Sequence, residues 1–275
     1  MNTRVILIAV AGLLGGAIAA NAHDTWLIPT NRQAAVGKPI ELRLTSGMAF
    51  AADDFVIDGL RITRASVRLG GSTADIAGRA PHAKALHLTW TPTKPGIATF
   101  GVSLQPKDLS LTPALVEEYF ADINAIASVR ERYAAMKAPR KWRERYTKHA
   151  TSYVCVAGAT SPDSSWTKAI NLNLEIVPEK DPTSLRAGDA LPVRAFYRGA
   201  PLAGFMIGAQ HDAETAVKFV QTDATGRATV ALPRAGWWLI NGTHLRPSTD
   251  ASREWDSDFA TITISVAAAG TKPGC

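Results

Sequence analysis

Residues 85–104 read Ala85-Leu86-His87-Leu88-Thr89-Trp90, then Thr91-Pro92-Thr93-Lys94-Pro95-Gly96, then Ile97-Ala98-Thr99-Phe100-Gly101-Val102-Ser103-Leu104. The first six residues alternate apolar and polar, the period of a strand with one buried face. Thr93-Lys94-Pro95-Gly96 is a turn signal, and the residues after it are again strand-like. Toward the N-terminus the pattern continues in short runs at 25–28, 40–44, 55–57 and 64–69, punctuated by Val36-Gly37-Lys38-Pro39 and Leu69-Gly70-Gly71-Ser72. Short strands with regular turn signals predict a mainly β chain and a small antiparallel β-sandwich of the immunoglobulin or transthyretin type.

Toward the C-terminus the period changes. Thr112-Pro113 is an N-cap and first-turn pair, and Leu115, Val116, Tyr119, Phe120, Ile123 and Ile126 follow at helical spacing, predicting a helix over 113–136. A second, basic helix is expected over 140–148, after Ala138-Pro139. Together they form a helical insertion at about 112–149 in a first domain spanning 23–178, either a lid or docking surface or a packed cover on one sheet. Strands at 151–157 and 171–177 complete that domain, and Pro178-Glu179-Lys180-Asp181-Pro182 reads as a linker. Strand runs at 191–197, 206–210, 217–221, 228–232, 236–245 and 261–266 predict a second sandwich over 183–267, with 268–275 as a flexible tail.

The first 22 residues carry one positive charge, Arg4, then an apolar run over 5–20 ending in Ala20-Asn21-Ala22. This is the pattern of a secretory signal peptide with a small-x-small cleavage site, too short and glycine-rich for a spanning helix. Cleavage after Ala22 places His23 at the mature N-terminus and the protein in the periplasm, with no membrane insertion afterwards. Cleavage after Ala20 or Asn21 leaves His23 third or second, and an uncleaved anchor is the alternative. The formal charge is +6, falling to +5 without Arg4, with basic residues spread along the chain; an exported protein of this kind is not expected to bind nucleic acid. Two cysteines, Cys155 and Cys275, are too few for a disulfide framework, and both a bridge between them and two unpaired thiols are open.

Ala22-His23-Asp24-Thr25-Trp26-Leu27, then Ala187-Gly188-Asp189-Ala190-Leu191-Pro192-Val193, then Thr222-Asp223-Ala224-Thr225-Gly226-Arg227, then Ala235-Gly236-Trp237-Trp238-Leu239-Ile240-Asn241-Gly242-Thr243-His244 occur in that order. In this the chain resembles the DUF4198 family, periplasmic proteins related to the NikM-type component of nickel and cobalt uptake systems. The resemblance implies a transition metal ion as ligand and a membrane transport component as partner. It also implies that Met48, in Gly47-Met48-Ala49-Phe50, stands where relatives often have His. Met48 then breaks a metal site, softens it toward Cu(I), or fills a core gap.

The chemistry of the residues agrees with a metal ligand at the N-terminus. A terminal His offers its α-amine and an imidazole nitrogen as a chelate suited to Ni(II), Co(II) or Cu(II). His244, closing an apolar run, is the candidate second ligand or a satisfied, partly buried histidine. His82, His87, His149 and His211 are expected at the surface, at a helix end or in a loop. The expected metal ligands are therefore His23, His244 and Met48, around one Ni, Co or Cu ion. No hydrolase nucleophile motif, phosphate loop, zinc framework or HExxH helix occurs, so no enzyme activity is expected. Three functions follow as expectations: a periplasmic metal-binding protein assisting uptake or delivery, a non-catalytic envelope interaction module, and an N-terminal-His copper oxidase, which needs a second imidazole.

Overall fold

The computed structural model describes residues 24–159 and 163–271; the expected signal segment 1–22, His23 and Cys275 lie outside the described residues. Its framework is a ten-stranded sheet that runs in the order Lys218–Gln221, Met206–His211, Gly236–Pro247, Trp255–Val266, Trp142–Val156, Gly96–Leu104, Ile62–Leu69, Ser72–Asp75. Lys107–Leu111 and Gln33–Ala34 also pair with Trp142–Val156. Two smaller sheets flank it. One joins Asp24–Pro29, Ile40–Gly47, Ala85–Trp90 and Gly78–His82, with Phe55–Val56 beside Ile40–Gly47. The other joins Leu174–Pro178, Asp189–Tyr197 and Ala200–Pro201, with Arg227–Leu232 beside Asp189–Tyr197.

Side-chain alternation assigns the faces of the large sheet. Ala98, Phe100 and Val102 share a core with Ala150, Val154 and Val156 and with Leu27, Leu42, Leu44 and Leu88 of the first small sheet. Their neighbours Ile97 and Tyr153 point the other way, into a core with Leu174, Leu191, Val193, Ile240, Ile262 and Ile264. The first small sheet thus covers one face and the second covers the other. The chain is mainly β and built of sandwiches, as the alternation predicts, but the two sandwiches share their middle layer.

That sharing rests on a parallel seam. Trp142–Val156 pairs with Trp255–Val266 from Glu144↔Trp255 to Ser152↔Thr263. The predicted basic helix at 140–148 is therefore a strand. Trp142 and Glu144 are buried while Arg143 and Arg145 are exposed, a period of two that binary patterning contains. Arg143 reaches Glu254 and Arg145 reaches Asp108, so the basic side chains are held outward across the strands on either side. Backbone pairing on both edges overrides local helix propensity here. The strand expected at 171–177 to close the first sandwich also goes elsewhere: Leu174–Pro178 pairs antiparallel with Asp189–Tyr197 in the second.

The predicted helix over 113–136 is present as two pieces, α1 (Pro113–Asp122) and α2 (Ala127–Ala134). Thr112 caps α1 and Pro113 opens it, as expected. The break falls at Asn124, whose φ of 45° is the left-handed conformation that Asn tolerates. Val116, Tyr119, Phe120, Val129 and Tyr133 pack on Trp142, Trp255 and Phe259, beyond the end of the first small sheet and on the same face. The insertion covers exposed β-surface, the second of its two expected roles.

A buried carboxylate fastens the helices to the seam. Glu144, 1% exposed, accepts from Tyr119 Oη at 2.9 Å, from Trp142 Nε1 at 2.9 Å, and from the Ser257 hydroxyl. Burial raises its carboxyl above the ordinary 4.5, and the three donors only partly offset this. A raised folded value means that the folded chain keeps a proton that the unfolded chain releases, so stability from this group is present at low pH and shrinks as the pH rises. Glu144→Gln leaves Trp142 Nε1 facing a second donor and is expected to destabilise the protein by about 1–3 kcal/mol. Denaturation across pH values is expected to show that gap largest below pH 4.5 and narrowing as the pH rises above it. The seam also limits side-chain volume nearby: a methyl on Gly242 would meet the Phe205 ring and come within 2.7 Å of the Met206 carbonyl. Gly242→Ala is expected to cost about 1–3 kcal/mol by overpacking, read as a lower denaturation midpoint at unchanged slope.

Candidate functional site

The two faces of the large sheet carry two separate polar clusters. On the first face, the strand Asp24–Pro29 lies over the seam. Trp26 and Ile28 pack on Leu239, and Thr261 Oγ1 donates to the Thr25 carbonyl at 2.6 Å. Asn241 Nδ2 donates to Asp24 Oδ2 at 2.6 Å. A cleft of about 350 Å³ opens there, walled by Asp24, Trp26, Met48, Asp122, Gln210 and Asn241, with Thr215, Val217 and Phe219 along one side. Asp24 and Asp122 also line its inner end, together with Phe259 and Thr243.

The electrostatics of this cleft are those of a site short of positive charge. Burial raises the Asp24 carboxyl, and the Asn241 bond and the Lys148 charge pull it back only in part. Burial and the neighbouring Glu118 raise Asp122. Burial likewise lowers the Lys148 ammonium to about 8, against the opposing pull of Asp24. Lys148 Nζ sits 5.6 Å from the Tyr146 ring centre and 5.7 Å from that of Phe259. Trp26 and Asn241 each carry a buried polar atom without a hydrogen-bond partner, Trp26 Nε1, on a side chain 1% exposed, and Asn241 Oδ1, which packs against Gly208.

The other face carries a linear chain of bonds. Ser103 Oγ lies 2.8 Å from His149 Nδ1, His149 Nε2 lies 3.1 Å from Asp258 Oδ1, and Arg246 Nη1 lies 2.9 Å from Asp258 Oδ2. Burial pushes the Asp258 carboxyl up, but the His149 bond and the Arg246 charge outweigh it and hold it below the usual carboxylate range. The trio has the residue types of a hydrolytic triad. Ser103 is only 9% exposed, however, and His149 and Asp258 2% each, so the chain of bonds ties Gly96–Leu104, Trp142–Val156 and Trp255–Val266 together rather than presenting a nucleophile.

The expected ligands separate on these faces. Asp24 directly follows His23 in the chain, and Met48 shares the cleft with Asp24. Met48 is 54% exposed, so it does not fill a core gap. His244 lies three residues from Asn241 on the same strand, which turns it to the opposite face. There its ring lies 4.6 Å from that of Tyr197, over which the guanidinium groups of Arg246 and Arg198 also sit, at 4.7 and 5.2 Å. Burial and Arg246 push the imidazole down to about 4, leaving it neutral beside a fixed cation, a poor place for a second one. It borders an apolar cavity of about 90 Å³ with Ile123, Phe205 and Met206.

Among the described residues, none of the remaining histidines lines the Asp24 cleft. His149 is buried in a strand rather than ending a helix. His87 Nδ1 bonds Glu41 at 2.6 Å. His211, buried, accepts from Ala213 N at Nδ1 and bonds the Ala235 carbonyl through Nε2. Cys155 is buried, and Cys275, the other end of the bridge left open above, lies outside the described residues. Among the described residues no three His, Cys, Asp or Glu side chains stand close enough to hold an ion. Asp122, Gln210 and Asn241 were not among the expected site residues. Asn241 had a signal, since it follows Leu239 and precedes Thr243 on one face of an apolar strand.

No curated protein matches this chain. Among solved structures, the Yersinia pseudotuberculosis adhesin InvE matches at 14% identity and a TM-score of 0.22, over 87% of this chain and 58% of that one. The chain therefore spans less than two thirds of that adhesin chain. The D0-D1 domain of Intimin matches at 15% identity and a TM-score of 0.22, over 88% and 98%. The Escherichia coli adhesin FdeC matches at 11% and 0.25, over 90% and 64%. Values this low carry no argument about the present chain. A family model described as a domain of unknown function, DUF4198, matches residues 20–246, and the chain belongs to that family.

Proposed function

We propose that the protein is a periplasmic binding protein that binds one Ni, Co or Cu ion through the N-terminal His23 and assists its uptake or delivery, with a membrane transport component as partner. The observation that carries this reading is the meeting of Asp24, Met48 and Asp122 in one cleft, at the point where the described chain follows His23. The donor set fits a divalent ion: two carboxylates that burial has left short of positive charge, and a thioether. These do not complete a coordination shell by themselves, so the reading depends on the imidazole and amine of His23. The metal, when bound, is the cargo. The protein's residues select it, with hard carboxylates and a soft sulfur offered together.

Two other readings rank lower. The copper oxidase needs a second imidazole in the cleft, and His244 is on the far face of the sheet. An envelope interaction module without metal is favoured by an exposed apolar run in which Phe55 is 51%, Val56 48% and Leu60 83% exposed.

Titration calorimetry of the mature protein is expected to give one tight site for Ni(II), Co(II) or Cu(II). His23→Ala keeps the α-amine but removes the imidazole that closes the chelate ring and should weaken binding by more than about tenfold, and His244→Ala should leave it unchanged. Equal binding by the wild type and His23→Ala overturns the reading, and mass spectrometry of the exported protein fixes which residue comes first.

A further inference from the structure

We propose a transition-metal site on the outer face of the first small sheet, formed by His82 and His87 and oriented by Glu41; it is separate from the cleft and does not depend on the reading of His23. Strand geometry brings the three side chains together. Leu42, Leu44, Leu86 and Leu88 point into the core, so the residues that alternate with them, Glu41, Arg43 and His87, stand on the outer face. His87 lies opposite Arg43 in one pairing and opposite Ala80 in the other. His82 follows Ala80 by two positions and shares its face, which makes it the diagonal neighbour of His87. Glu41 is the diagonal neighbour on the other side. Three adjacent strands thus lay Glu41, His87 and His82 in one line across the sheet.

The contacts along that line give each residue a role. His87 Nδ1 lies 2.6 Å from Glu41 Oε1. A carboxylate accepts, so Nδ1 carries the proton and Nε2 keeps its lone pair, the form in which an imidazole binds a metal. The His82 and His87 rings are in contact, with centroids 4.8 Å apart and planes at 46°. Two nitrogens that share a tetrahedral Zn(II) at about 2.0–2.1 Å each stand about 3.3 Å from one another. Rings already in contact reach that separation by side-chain rotation, and His82 is exposed at the end of its strand. The cation directly opposite His87, Arg43, is bonded to Asp53 at 2.6 Å, and Lys84 lies exposed in the turn between the two histidines.

Paired imidazoles suit Zn(II), Cu(II) and Ni(II). The chain supplies two nitrogens and leaves the other positions to water, so the site exchanges its ion instead of enclosing it as a structural zinc site does. Glu41 is a positioning residue: it fixes the His87 ring and does not touch the ion.

Zn(II) titrated into the full mature protein, with the imidazole nitrogens followed by NMR, tests the site. His82 and His87 are expected to respond together and to saturate with one ion. His82→Ala, at an exposed position, should abolish the His87 response and weaken Zn(II) binding there by at least about tenfold. Glu41→Ala should also weaken it about tenfold while leaving both imidazoles responsive, since it removes the orienting carboxylate and no ligand. His23→Ala should keep the paired response, so failure of the N-terminal reading leaves this site standing, and its own failure leaves that reading untouched. The proposal is overturned if Zn(II) moves only one of the two imidazoles or neither, or if His87 responds equally in His82→Ala. Unchanged affinity in Glu41→Ala overturns the role given to Glu41.

Discussion

Everything in this molecule is referred to the parallel pairing of Trp142–Val156 with Trp255–Val266. Those two strands come from opposite halves of the chain, and between them they supply the middle layer for both sandwiches. Parallel strands need a long crossover, and here the crossover contains the whole of the second small sheet. A seam of this kind is buried on both faces, which explains why His149–Val156 is buried throughout and why His149 and Ser152 are bonded inside the protein. Ser103, His149, Asp258 and Arg246 satisfy one another on one face, and Glu144 gathers Tyr119, Trp142 and Ser257 on the other. Neither network has room for a substrate. Both have the character of fasteners, and buried networks that are fully satisfied fix one arrangement of the strands.

The same seam explains which parts of the fold were legible in the sequence. Ala85-Leu86-His87-Leu88-Thr89-Trp90 forms the strand its alternation announces because one of its faces is covered and the other is not. Thr112-Pro113 begins a helix because capping is a local matter. The stretch at 140–148 failed as a helix because its structure is decided by the partner strands on its two edges, at 107–111 and 255–259, rather than locally. Its alternation was present, but the run of Arg and Lys is equally at home on a helix. Leu174–Pro178 was assigned to the wrong sandwich for the same reason: nothing in Leu174-Glu175-Ile176-Val177-Pro178 says which sheet it joins.

The candidate site was legible in its chemistry and not in its membership. A histidine beside a cleavage motif and a methionine in a variant phrase pointed to the strand end where the cleft lies. His244 was tied to them by order along the chain, yet strand geometry sends residues 241 and 244 to opposite sides of a sheet. Asp122 reaches the cleft only because a helix expected to be continuous stops there, at a turn built on Asn124.

Asp24 is held by a side-chain bond to Asn241 and, in register, by its pairing opposite Gly47. The chain ahead of it is thereby metered from a fixed point. Each further residue at the front carries the α-amine up to about 3.6 Å away, a distance comparable to the whole radius of a coordination shell. On the proposed reading, in which the mature chain begins at His23, leader removal would thereby also set the dimensions of the proposed site. A shift of one residue in that processing frame would then act as an insertion in the proposed site, with no change in the gene.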